Sequence, residues 1–132
     1  MQGNGPASVP AVRVMVVEDD ADYQEVLILI LTLEPYVKLV GVASSGEEAL
    51  SQFDKADPEV VVTDYRLPDM TGLTVAERMK AQRPGLRIAM VTAFAHEIHD
   101  AVAANHAVDV LIPKSEFSLA RIQGLLRVAD AK

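Results

Sequence analysis

The sequence predicts an α/β fold: five parallel strands in one doubly wound sheet, (βα)5, with helices on both faces. Three observations predict it. Apolar runs of strand length alternate with helix-period segments five times between Arg13 and Ala129. Each strand-to-strand connection is long enough to hold a helix, which makes neighbouring strands parallel and, with right-handed crossovers, covers both faces of the sheet. Finally, runs such as Val60-Val61-Val62 are apolar at every position rather than every second one, as strands buried on both faces require.

In chain order, Val12 to Val17 is the first strand and ends in Glu18-Asp19-Asp20. Asp20 or Asp22 caps a helix over Ala21 to Leu33, stopped by Pro35. Lys38 to Ala43 is the second strand. Ser44-Ser45-Gly46-Glu47-Glu48 offers a capping box, pairing Ser44 with Glu47 or Ser45 with Glu48, for a helix to about Phe53. Pro58 precedes the third strand, Val60 to Thr63. The third helix spans Thr71 to Gln82 and is closed by Pro84-Gly85. Arg87 to Thr92 is the fourth strand, His96 to Asn105 the fourth helix and Val108 to Ile112 the fifth strand. Ser118 to Ala129 is a last amphipathic helix with Leu119, Ile122, Leu125 and Leu126 on one face.

The 132 residues support one domain, residues 11–132, after a Gly/Pro/Ser/Asn-rich disordered tail over 1–10. Gly3-Asn4-Gly5 has no strand before it, so it reads as tail rather than phosphate loop. Half the residues are hydrophobic and tryptophan is absent, so Val, Leu, Ile, Ala and Met must build the core. A net charge of −7 argues against direct nucleic-acid binding, which needs a Lys/Arg surplus. Cysteine is absent, which excludes disulfides and thiolate chemistry. The sequence has no membrane-length apolar run, and its first basic residue is Arg13, so no secretory leader is expected. A cytoplasmic protein without membrane partners is the expectation.

A parallel sheet delivers all its strand C-termini to one edge, where ligands bind in open α/β folds. The first strand brings Glu18 and Asp19 there, the third Asp64, the fourth Thr92 and the fifth Lys114. Three carboxylates in contact repel by roughly 4 kcal/mol per pair at about 4 Å and an effective dielectric near 20. A hard cation relieves this, and an all-oxygen donor set with room for water suits Mg2+. One divalent cation and the Lys114 ammonium balance the three carboxylates. A phosphoryl group on Asp64 would find Mg2+, Lys114 and the Thr92 hydroxyl around its oxygens, which is phosphoryl transfer to a carboxylate.

These residues resemble the receiver domain of two-component response regulators, a flavodoxin-like fold. The matching pieces are Val16-Val17-Glu18-Asp19-Asp20, Asp64-Tyr65-Arg66-Leu67-Pro68-Asp69-Met70-Thr71-Gly72, Val91-Thr92-Ala93 and Lys114. Asp-x-x-x-Pro-x-x-x-Gly is the most specific of them, and the 22-residue separation of Thr92 and Lys114 suits the family. Val40-Gly41-Val42-Ala43 resembles the NarL/FixJ-type subgroup. The resemblance implies Asp64 as phosphoacceptor. It implies Mg2+ on Glu18, Asp19, Asp64 and the Arg66 backbone carbonyl, with Lys114 and Thr92 on the phosphoryl group and Ala93 leaving room for it. It further implies a sensor histidine kinase or histidine phosphotransfer protein as donor. The chain would then catalyse only its own phosphorylation and dephosphorylation, and transcription through a DNA-binding output domain would be the regulated process.

The chain departs from the family pattern at two places. Leu111 stands where an aromatic switch residue is usual. Pro113 precedes Lys114 and Ser115 follows it, where the family has proline after the lysine, often with a cis bond; a cis Lys114-Ser115 bond would cost about 2.5–4 kcal/mol. Arg66 and Phe94 are expected to flank the phosphoryl group, with Phe94 slowing hydrolysis.

Two other functions fit an acidic strand-end cluster. An Asp-nucleophile phosphohydrolase of the haloacid-dehalogenase type wants a second Asp two residues on, where Arg66 stands. A receiver-like module without phosphorylation would need neither the acid cluster nor Lys114. Val26 to Leu33 is apolar around nearly the whole first helix. Either neighbours cover it deeply, or its outer face, with the last helix, forms a homodimer or partner surface. His96, His99, His106, Arg121 and Arg127 read as solvated side chains.

Overall fold

A computed structural model describes residues 11–127. The elements are β1 (Val12–Val17), α1 (Ala21–Leu31), β2 (Val37–Ala43), α2 (Gly46–Ala56), β3 (Val60–Thr63), α3 (Gly72–Gln82), β4 (Arg87–Thr92), α4 (Ala95–Ala103), β5 (Val110–Pro113) and α5 (Leu119–Ile122). A 3-10 turn, Lys114–Glu116, links β5 to α5. All strand pairs are parallel, in the order β2-β1-β3-β4-β5. The order reverses between β1 and β3, and that switch point is where such sheets open a crevice for ligands.

Successive strand residues point to opposite faces, so each strand feeds two cores. Val14 and Val16, Val60 and Val62, and Ala89 and Val91 pack with Leu27 and Leu31 of α1 and with Ile122 and Leu126. Met15, Val17, Val61 and Ile88 pack with Ala49 and Phe53 of α2 and Val75, Ala76 and Met79 of α3. The two-sided burial expected of the valine runs is therefore present.

Capping chemistry sets the helix starts. Asp20 accepts the Asp22 and Tyr23 amides, Ser45 that of Glu48, Thr71 that of Thr74 and Ser118 that of Arg121. Of the two expected capping boxes, Ser45/Glu48 forms. Its return bond runs one residue further out, from the Ser44 amide to Glu48 Oε1 at 2.7 Å.

Several ends differ from expectation. Helix α1 stops at Leu31 rather than Leu33, and the Thr32 hydroxyl donates to the Ile28 carbonyl. Helix α2 runs past Phe53 to Ala56 and closes on Asp57 at φ 50°, in the left-handed region. Strand β5 starts at Val110 rather than Val108, because the Asp109 carboxylate takes the Ile88 amide at 2.7 Å. It also includes Pro113, whose missing N–H is tolerated on an edge strand. Helix α5 is only Leu119–Ile122, followed by turns to Arg127. The tail over 1–10, with Gly3-Asn4-Gly5, and the continuation of the last helix to Ala129 lie outside the described residues. Among the described residues every peptide bond is trans, Lys114-Ser115 included. No helix of the described residues is long and apolar enough to cross a membrane.

Candidate functional site

Register brings the acidic residues together. Val17 pairs with Thr63, and the Asp64 amide donates to the Val17 carbonyl at 3.0 Å, so Glu18 and Asp64 leave adjacent strands side by side. Carboxylate oxygens of Glu18, Asp19 and Asp64 lie within 4.8 Å of one another. Glu18 and Asp64 are buried and Asp19 is exposed, which leaves the cluster open on one side.

Lys114, immediately after β5, reaches both buried acids. Its Nζ is 3.0 Å from Glu18 Oε1 and 3.1 Å from Asp64 Oδ2. Burial acts to lower this ammonium's pKa, but the two carboxylates outweigh it and hold lysine above its usual value. Burial pushes the Glu18 carboxyl up from 4.5 to about 7, against the Asp20 amide and Lys114, with the Asp64 charge adding to the rise. Glu18 Oε2 accepts the Asp20 amide at 3.0 Å. Glu18 Oε1 is buried and receives no hydrogen bond of good geometry, so the Lys114 contact is an ion pair only.

An under-satisfied buried carboxylate oxygen beside two more hard oxygen donors, with no nitrogen or sulfur donor among them, fits Mg2+.

The turn after β3 fixes Asp64. Its Oδ1 accepts the Tyr65 amide at 2.6 Å, and the Gly72 amide returns to the Tyr65 carbonyl at 2.6 Å. Arg66 and Thr71 form an antiparallel bridge across the turn. A Cβ at Gly72 would sit 1.9 Å from the Asp64 carbonyl oxygen, which is the physical reason for glycine eight residues after Asp64. Thr92 is fully buried at the end of β4, and its Oγ1 accepts the Phe94 amide at 3.2 Å. The Arg66 guanidinium lies over the Phe94 ring, 4.0 Å from its centroid.

Sequence reasoning brought Glu18, Asp19, Asp64, Thr92 and Lys114 to one edge, and all five lie there. It missed Tyr23, whose hydroxyl donates to the Lys114 carbonyl at 2.9 Å and whose ring lies 4.6 Å from Lys114 Nζ. It also missed Asp69, whose carboxylate accepts the Gly46 and Glu47 amides at 2.8 Å each. Neither position carries a periodic or spacing signal. The histidines are exposed, as expected. Arg121 is exposed too, but pairs with Glu116 at 2.7 Å.

This sheet order, with an acidic cluster at the switch point and a lysine from the neighbouring edge, defines a flavodoxin-like receiver architecture. The family described as response regulator receiver domain matches residues 14–126, and the chain belongs to it. Over 83 residues, 61% of the chain, it is 37% identical to a protein-glutamate methylesterase/protein-glutamine glutaminase of Oleidesulfovibrio alaskensis. Over 87 residues, 66% of the chain, it is 36% identical to the corresponding protein of Pseudomonas putida. The matched segments are 22% and 23% of those proteins, so the chain spans about a fifth of their length. Among solved structures it is similar to the receiver domain of the response regulator NarL from Mycobacterium tuberculosis. That match has a TM-score of 0.78 and 25% identity, over 94% of this chain and all of that one. It is also similar to the response regulator TrrA of Thermotoga maritima, solved with Mg2+ and BeF, at TM-score 0.74 and 28% identity. That match covers 87% of this chain and 99% of TrrA.

Proposed function

We propose that this receiver accepts a phosphoryl group on Asp64 from a phosphohistidine donor, either a sensor histidine kinase or a histidine phosphotransfer protein. The observation that carries the reading is the buried Asp64 carboxylate, ion-paired with Lys114 at 3.1 Å inside a three-carboxylate cluster. In the transfer an Asp64 carboxylate oxygen bonds to phosphorus as the donor N–P bond breaks, and the imidazole leaves with the electron pair. Lys114 supplies a fixed positive charge for the incoming oxygens. The Thr92 oxygen already accepts the Phe94 amide, which orients its own proton for donation to a phosphoryl oxygen. Glu18, Asp19, Asp64 and the Arg66 carbonyl are the groups to hold Mg2+. When bound, the ion neutralises the carboxylates and the phosphoryl charge.

Residues 11–132 then act as one cytoplasmic signalling domain, whose only catalysis is its own phosphorylation and dephosphorylation. Its output is a change in protein contacts, including homodimer formation, rather than direct contact with nucleic acid or membrane. Longer proteins that contain such a segment include the methylesterases above and RcsB of Salmonella enterica, solved on promoter DNA. An attached catalytic or DNA-binding output would be controlled through those contacts.

Acetyl phosphate with Mg2+, followed by intact mass, tests the reading. A stoichiometric gain of one phosphate, abolished in Asp64→Ala, supports it. Continuous release of phosphate supports a phosphohydrolase, and no change in mass supports an unphosphorylated binding module.

A further inference from the structure

We propose that Tyr23 is a positioning residue that sets the reach of Lys114 toward Asp64. The inference rests on the phosphoacceptor reading for its consequence but not for its geometry.

Lys114 opens a 3-10 turn through a trans peptide bond to Ser115, so no cis proline bond fixes the direction of its side chain. Tyr23, in the first turn of α1, contacts this residue at both ends. Its hydroxyl donates to the Lys114 carbonyl at 2.9 Å, which holds the backbone. Its ring face lies 4.6 Å from Lys114 Nζ, which holds the ammonium by cation–π attraction. The same ammonium is 3.0 Å from Glu18 and 3.1 Å from Asp64. The Tyr23 ring, Glu18 and Asp64 therefore surround Nζ on three sides, with the tyrosine as the uncharged wall. Tyr23 itself is anchored: its amide is held by the Asp20 cap and its ring packs against the α1-side core. Burial raises its phenol pKa, so the hydroxyl remains a donor across the neutral range. The ion pair with Asp64 has to loosen when a phosphoryl group arrives. The ring and the carbonyl bond keep the ammonium in place through that exchange.

Tyr23→Phe keeps the ring and removes the donor, while Tyr23→Leu removes both. Two readouts separate positioning from fold support. The first is the carbon-resolved proton shift of the Lys114 ε-methylene in the resting protein. An upfield ring-current shift is expected in the parent and in Tyr23→Phe, and its loss in Tyr23→Leu. The second is beryllofluoride affinity at saturating Mg2+, measured in the parent and in a Lys114→Ala background. Tyr23→Leu should weaken binding roughly 2- to 10-fold in the parent, the scale of one hydrogen bond, and leave it unchanged without Lys114. Equal weakening in both backgrounds, or a Lys114 shift that does not respond to Tyr23→Leu, overturns the proposal. If the parent binds no beryllofluoride, the phosphoacceptor reading fails, while the resting-state shift still shows whether the Tyr23 ring packs on the Lys114 side chain.

Discussion

Glu18 is the residue where the fold works against its own stability. It is fully buried, its Oε1 has only an ion pair, and its carboxyl is pushed up to about 7 by burial. An ionised carboxylate there costs free energy that the Lys114 ammonium offsets only in part. Glu18→Gln is therefore expected to stabilise the metal-free protein at pH 8, where the glutamate would be ionised, while weakening Mg2+ binding. Thermal melts with and without Mg2+ measure both, and a destabilised metal-free variant would contradict the account. The Arg66–Phe94 stack has a different consequence. Expected to flank the phosphoryl group, with Phe94 slowing hydrolysis, the two side chains stack on each other at 4.0 Å. A cation–π pair of this kind contributes about 0.5–1 kcal/mol at an exposed site, enough to keep the pair closed most of the time. The phosphoprotein should accordingly last many minutes, and Phe94→Ala should shorten that life several-fold. Loss of phosphate from the parent within seconds would remove the basis for this role.

At the scale of elements, the turn after β3 is fastened to the start of α2. Asp69 spans the two amides of Gly46 and Glu47, the unpaired donors that open a helix, and these bonds lower its carboxyl pKa. Met70 fills the space beside Gly46, where a Cβ would meet its Cγ at 2.4 Å. The turn that carries the Arg66 carbonyl is therefore tied to the start of α2. An aspartate with a depressed folded-state pKa contributes in full above the ordinary aspartate range and loses that contribution as pH falls through its lower value. The Gly46 and Glu47 amide resonances should titrate below the pH at which a free aspartate protonates, and lose that transition in Asp69→Ala. Titration at the free-aspartate value would show the bonds to be absent in solution. The same variant should weaken Mg2+ binding if the turn needs this anchor.

For the whole molecule, the apolar first helix had two readings, and α1 answers with both. Leu27 and Leu31 are in the core, while Val26, Leu29 and Leu33 on or just past α1 are 42%, 68% and 67% exposed. In the last helix and the turns after it, Ile122 and Leu126 are fully buried on the α1-side core, while Leu119 and Leu125 are half-buried beside it. The outer stripe of α1 is thus the exposed apolar part of the dimer surface proposed above. Each leucine fully buried there would contribute about 1.5–3 kcal/mol. Light scattering with and without beryllofluoride should show a weak dimer that Leu29→Glu abolishes. A strict monomer in both states at high concentration would rule the surface out.

Strand and helix identities and the convergence of Glu18, Asp19, Asp64, Thr92 and Lys114 were legible in the sequence alone. Apolar periodicity is a local property of the chain, and a parallel sheet sends every strand end to one edge whatever the strand order. Element ends were read less well, since Asp109 and Thr32 act through side-chain bonds that periodicity does not record. The tertiary structure alone decided the strand order, the exposed side of α1, the trans bond after Lys114 and the contacts that aim the site. Tyr23 and Lys114 are 91 residues apart, and Asp69 lies 23 residues from Gly46. Such contacts depend on how elements pack rather than on any repeat within them, so they leave no pattern in the sequence.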